Sequence, residues 1–150
     1  MQKSVLLGAL AAGLMASAAL PAQAQYFNRI ASFPVALNTP DIEAEENSAE
    51  IITATEDGMT LIYSNALVGG IGFIDIADAA NPQPGGFVAL EGSPTSVSVI
   101  GNKALVSVDT TEDFTAPTGY LAVVDIESQT VESECDLGGQ PDAIARNAAG

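Results

Sequence analysis

The sequence predicts an all-β fold, a β-propeller of four-stranded antiparallel blades with about two blades in this chain, on three observations. A short apolar run closed by aspartate, Gly72-Phe73-Ile74-Asp75-Ile76, returns fifty positions later as Ala122-Val123-Val124-Asp125-Ile126. Leu90 and Leu137 lie 47 residues apart, and so do Pro94 and Pro141. After residue 24 the apolar residues fall in short runs or alternate, and no segment keeps a convincing helical period. A repeat of roughly 20–50 residues marks an architecture whose units cannot bury their own faces alone. A β-sandwich is the alternative, because evenly spaced short strands occur in both architectures.

Residues 1–24 read as a signal peptide. Lys3 supplies a positive start, Val5 to Leu20 an apolar stretch with small residues interleaved, and Ala22-Gln23-Ala24 a small-x-small cleavage pattern. A membrane anchor is the competing reading, but the run falls short of the roughly 20 strongly apolar residues a span needs. The expected product is exported, to the periplasm or outside the cell, with no membrane span after cleavage.

Residues 25–47 are expected to form an N-terminal strand, Tyr26 to Val35, then a turn at Asn38-Thr39-Pro40-Asp41 and an acidic loop from Glu43 to Glu46. Residues 48–92 form the first blade: a strand at Glu50 to Ala54, a turn at Glu56-Asp57-Gly58, and strands at Thr60 to Ser64, Ile71 to Ile76 and Phe87 to Leu90. The Asp-Gly pair is a strong hairpin signal. Residues 93–139 repeat the scheme, with strands at Pro94 to Val99, Ala104 to Val108, Tyr120 to Ile126 and Val131 to Leu137. Residues 140–150 start a third blade. Because a propeller needs at least about four blades to close, the chain is expected to be the N-terminal part of a longer protein.

Charge narrows the partners. The formal net charge is −15, from 19 acidic and 4 basic residues. Loss of residues 1–24 would remove Lys3 and leave Arg29, Lys103 and Arg146 scattered along the chain. Nucleic acid and anionic membrane surfaces are therefore disfavoured, since both are gripped by clustered Lys and Arg. The expected partner is a small-molecule or protein ligand of the complete propeller.

The chain has one cysteine and no histidine. No internal disulfide can form, and no Ser-His-Asp triad or His-ligated zinc site can be built from these residues. Cys135 lies in an alternating run with Val131 and Leu137, which predicts burial as a small hydrophobe.

The segments Gly92-Ser93-Pro94-Thr95-Ser96-Val97-Ser98-Val99 and Gly139-Gln140-Pro141-Asp142-Ala143-Ile144-Ala145, with Val123-Val124-Asp125-Ile126, resemble secreted bacterial β-propellers of the YVTN or lactonase-like type. More narrowly, Phe27-Asn28-Arg29-Ile30, Gly70 to Ile76 and Asp136 to Asp142 are similar to exported phytase-like esterases or alkaline phosphatases with a choice-of-anchor domain. The resemblance implies an exported propeller hydrolase of phosphoesterase or lactonase type, and it carries over no catalytic residue. A non-catalytic propeller module that binds protein or glycan at the cell surface is the other reading. Arg146-Asn147-Ala148-Ala149 departs from the pattern, where such blades carry a valine and a Ser-Pro-Asp-Gly-like turn.

Two constellations could carry chemistry. Asp109-Thr110-Thr111-Glu112-Asp113 gathers three carboxylates and two hydroxyls in one loop. Asp109, Glu112 and Asp113 are therefore candidate ligands for calcium, the one cofactor suggested, although EF-hand spacing and its turn glycine are lacking. A solvated acidic loop competes, as it does for Glu43, Glu45 and Glu46. Asp75 and Asp125 end equivalent strands, where an aspartate accepts backbone N–H bonds at the turn that follows.

Overall fold

The computed structural model describes residues 28–43 and 46–147. The expected signal peptide, and Tyr26, Phe27 and Glu45, lie outside the described residues. A 3-10 turn, Val35–Asn38, precedes eight strands: β1 (Ile52–Ala54), β2 (Thr60–Asn65), β3 (Gly70–Asp75), β4 (Gln83–Ala89), β5 (Ser93–Ile100), β6 (Lys103–Asp109), β7 (Gly119–Asp125) and β8 (Thr130–Asp136). They make two four-stranded antiparallel sheets, ordered β1-β2-β3-β4 and β5-β6-β7-β8. Among the described residues no helix is long and apolar enough to cross a membrane.

The two sheets repeat one another strand for strand. In the first, Thr60 pairs with Asp75 and Asp75 with Gln83; in the second, Lys103 pairs with Asp125 and Asp125 with Thr130. Both interrupt the pairing of their third and fourth strands at the same place, between Phe73 and Ile74 and between Val123 and Val124. The extra residue is Gly85 in β4 and Glu132 in β8. A bulge leaves one residue outside the ladder and bends its strand.

The core lies between the sheets. Residues paired across a ladder share a face, so Ile62 and Phe73, with Ile71 and Val88, line one face of the first sheet. They join a single buried cluster with Val97, Val99, Ala104, Val106, Val108, Ala122 and Val124, all from one face of the second sheet. Burying each such aliphatic side chain stabilises by about 1.5–3 kcal/mol. The opposite face of the first sheet carries Tyr63, whose ring lies over its partner Gly72 and leaves no room for a Cβ there.

Four expectations are corrected. β4 begins at Gln83, not Phe87: Pro84 lacks an N–H but sits in an edge strand, where a missing donor is tolerated. Residues 28–34 join no strand, and the chain instead turns at Val35–Asn38 with Leu37 N–H on Pro34 O at 3.0 Å. Pro34 cannot donate to a ladder, and Asn38 is committed to bonds described below. The segment 140–147 forms no strand either, because β5 meets it through the Thr95 and Ser96 side chains rather than through backbone.

Cys135 is the fourth. It is exposed and free, because β8 is the edge of its sheet and every residue of it is exposed. The bulge at Glu132 also breaks the alternation: Val131 pairs with Val124, on the core face, while Cys135 pairs with Leu121 on the other.

Candidate functional site

The acidic loop between β6 and β7 is held by its own turn bonds. Asp109 Oδ1 accepts the Thr111 N–H at 2.8 Å and Oδ2 accepts Gln140 Nε2 at 2.8 Å. Asp113 Oδ1 accepts both the N–H and the hydroxyl of Thr115 at 2.9 Å. Thr111 above all, then Gln140, holds the Asp109 carboxyl below the usual carboxylate range, and Thr115 does the same for Asp113. Among the described residues no three His, Cys, Asp or Glu side chains are grouped to hold a metal ion. Asp109, Glu112 and Asp113 share a loop, in which one oxygen of each aspartate accepts from a threonine two residues on and the second oxygen of Asp109 accepts from Gln140.

Asp75 and Asp125 close their strands as turn residues. Asp75 Oδ1 accepts the Ala77 N–H at 2.9 Å, and Asp125 Oδ1 accepts the Ser128 N–H at 2.7 Å and its hydroxyl at 2.9 Å. Asp125 does more. Its Oδ2 accepts Lys103 Nζ at 2.7 Å and Asn102 Nδ2 at 2.8 Å, and Lys103 also reaches Glu132 Oε1 at 2.7 Å. Lys103 first, then Ser128, pushes the Asp125 carboxyl far below its ordinary value, and the same two acids push the Lys103 ammonium up. The bulged residue Glu132 thus anchors on the strand-start lysine two strands away.

The first sheet treats its bulge differently. Asn38 Nδ2 donates to Phe73 O at 2.7 Å and to the Tyr63 hydroxyl at 3.0 Å, while Asn38 Oδ1 accepts the Gly85 N–H at 3.2 Å. The hydroxyl of Tyr63 completes the chain on Val35 O at 3.4 Å. Gly85 O accepts Gln129 Nε2 from the turn between β7 and β8 at 2.5 Å. Among the described residues no buried side-chain nitrogen or oxygen lacks a partner. Sequence reading missed Asn38, Gly85 and Gln129; the signal within reach was the Gly85-Gly86 pair, where a strand would hold larger residues.

Hollows open around this frame among the described residues. An apolar cleft of about 320 Å³ runs between residues 30–35 and the first sheet, with Phe33, Leu61 and Ile74 among its walls. A polar groove of about 330 Å³ lies where the β1–β2 turn meets the β5–β6 turn, walled by Thr55, Glu56, Asp57, Thr60, Gly101 and Asn102. Glu56 Oε1 crosses it to accept the Gly101 N–H at 3.0 Å, tying one sheet to the other. Asp57 in its wall is drawn below the usual range by the Thr55 hydroxyl, then by the Met59 N–H. A third hollow of about 380 Å³ is bounded by Thr110, Thr118, Tyr120, Glu134 and Asp136. The walls of the polar groove and of the hollow beside Tyr120 offer carboxylates, hydroxyls and backbone groups, a lining suited to hydrogen-bonding a polyhydroxylated or cationic ligand. No protein-family model matches the chain, and no curated protein matches it.

Proposed function

We propose that the two sheets are consecutive blades of an exported β-propeller, and that this propeller is a hydrolase of the phytase-like or lactonase-like kind. The observation that supports the architecture is the repetition itself. Strand order, ladder register, the bulge and the terminal aspartate recur in both sheets, which stack on one core. A two-sheet sandwich requires no such equivalence between its halves, whereas a repeat architecture is built from it. The hydrolase part rests on the sequence resemblance, and its site draws on residues of further blades.

The second reading is a non-catalytic module binding protein or glycan through its loops. One observation favours it: Asp57, Asp109, Asp113 and Asp125 are all committed to local donors that keep them ionised and rigid. Such groups make a preformed polar surface rather than proton-transfer groups, whose affinity for protons lies nearer neutrality. Phosphatase and lactonase assays on the protein from its complete reading frame, with EDTA and with calcium, separate the two. Turnover of either substrate class supports the hydrolase; none under any condition overturns it in favour of the module.

A further inference from the structure

We propose that the outer face of the second sheet seats a third four-stranded unit of the same repeat, continuing from the segment that begins at Gly139. The inference rests on the two sheets being consecutive blades. Ladder register identifies the face. Across strands two, three and four of the first sheet runs the row Ser64–Ile71–Val88; the corresponding row of the second is Ser107–Leu121–Cys135. Beside these rows, Ile62–Phe73 corresponds to Leu105–Val123. In the first sheet these side chains are core: Ile62 and Ile71 are fully buried, Phe73 is 1% exposed and Val88 6%. In the second, Leu105, Leu121 and Val123 are only half-buried and Cys135 is exposed.

What covers the first face says what fits the second. The first face is covered by the second sheet, led by β5, which packs on β1, β2 and β3. The residues that meet it are small and mostly β-branched, Val97, Val99, Ala104 and Val106 among them. On the second sheet, Ser96 pairs with Ser107 and so points to the outer face. There its hydroxyl accepts the Ile144 N–H at 3.3 Å, and Thr95 Oγ1 donates to Pro141 O at 3.0 Å. Ile144 stands 47 residues after Val97, the repeat interval. The chain is thus already laid over the outer face where a leading strand belongs.

A second copy of the chain is the other occupant to weigh. It would have to present the Tyr63–Gly72–Phe87 face of its first sheet, and residues 30–38 already cover that face, with Asn38 bonded to Tyr63 and Phe73 O. A second copy would have to displace this segment to reach that face.

Cys135 is a native probe for the test. In the protein produced from its complete reading frame, thiol labelling of Cys135 under native conditions is expected to run about a hundredfold or more slower than in urea, because a covered thiol reacts only through opening. Labelling at the free-thiol rate overturns the proposal. So does protection that vanishes on dilution together with a dimer mass, which assigns the face to a second copy. A Val88→Cys/Cys135→Ser protein, or Val106→Cys/Cys135→Ser if the first does not fold, reports the existing interface. Fast labelling there sinks the stacked-blade reading itself, whereas slow labelling there with a fast Cys135 sinks the third unit alone.

Discussion

The side-chain amide of Asn38 stands in for a peptide group beside Gly85. Its Nδ2 donates to Phe73 O at 2.7 Å and its Oδ1 accepts the Gly85 N–H at 3.2 Å, joining the strands where the bulge leaves their ladder open. A segment 47 positions upstream in sequence thereby closes the first sheet's outer face.

Replacing Asn38 by Ala takes the side-chain partner from the Phe73 carbonyl and the Gly85 N–H and a donor from the Tyr63 hydroxyl, which keeps its bond to Val35 O. The variant is expected to lose about 2–4 kcal/mol of stability in urea unfolding, since a buried group without its partner costs more than one bond. Asn38→Asp restores the acceptor for Gly85 but places a carboxylate against Phe73 O, so it should recover little. Stability within experimental error of the parent for Asn38→Ala would contradict the role given to this amide.

Gly86 sits at φ +113, where an added Cβ would run into the Gln129 side chain. A Gly86→Ala protein pays in backbone strain, of about 1–3 kcal/mol, and in displacing Gln129 from Gly85. In a double-mutant cycle with Gln129→Ala, the second cost should disappear while the first remains. Additive losses would show that the two residues do not meet.

The Lys103–Asp125–Glu132 link sets an acid limit. Asp125 titrates below its ordinary value in the folded chain, so its contribution is fully present above the unfolded value of about 3.9 and is lost as pH falls below it. The Tm difference between the parent and Asp125→Asn is expected to be constant from neutral pH to about 5 and to shrink below about 4. A difference that grows on acidification would reverse the sign of the argument.

Because both oxygens of Asp109 and one of Asp113 already accept from Thr111, Gln140 and Thr115, millimolar calcium should leave the Tm of the parent unchanged. A calcium-dependent rise abolished by Asp109→Asn would identify this loop as a calcium site.

The strands were legible where local chemistry decides them. The β1–β2 and β5–β6 hairpins turn at Asp57-Gly58 and Gly101-Asn102, and the apolar runs Ile71 to Ile74 and Tyr120 to Val124 each end on an aspartate that opens the next turn. Pro82 to Gly86 misled, because the same residues that make turns also make bulged edge strands. Cys135 misled because strict alternation in sequence assumes an unbulged ladder, and Glu132 interrupts it. Of the Asn38–Gly85–Gln129 junction only the Gly85-Gly86 pair left a signal: its partners come from three distant segments, and nothing in the local pattern around Asn38 marks it as more than a turn residue.

The repeated-blade account is tested most directly by an experimental structure of the protein from its complete reading frame. It predicts that Leu105, Leu121, Val123 and Cys135 meet a third four-stranded sheet at the same spacing and rotation by which Ile62, Ile71, Phe73 and Val88 meet the second. Two sheets closed on one another, with the outer face of the second in solvent, would contradict it.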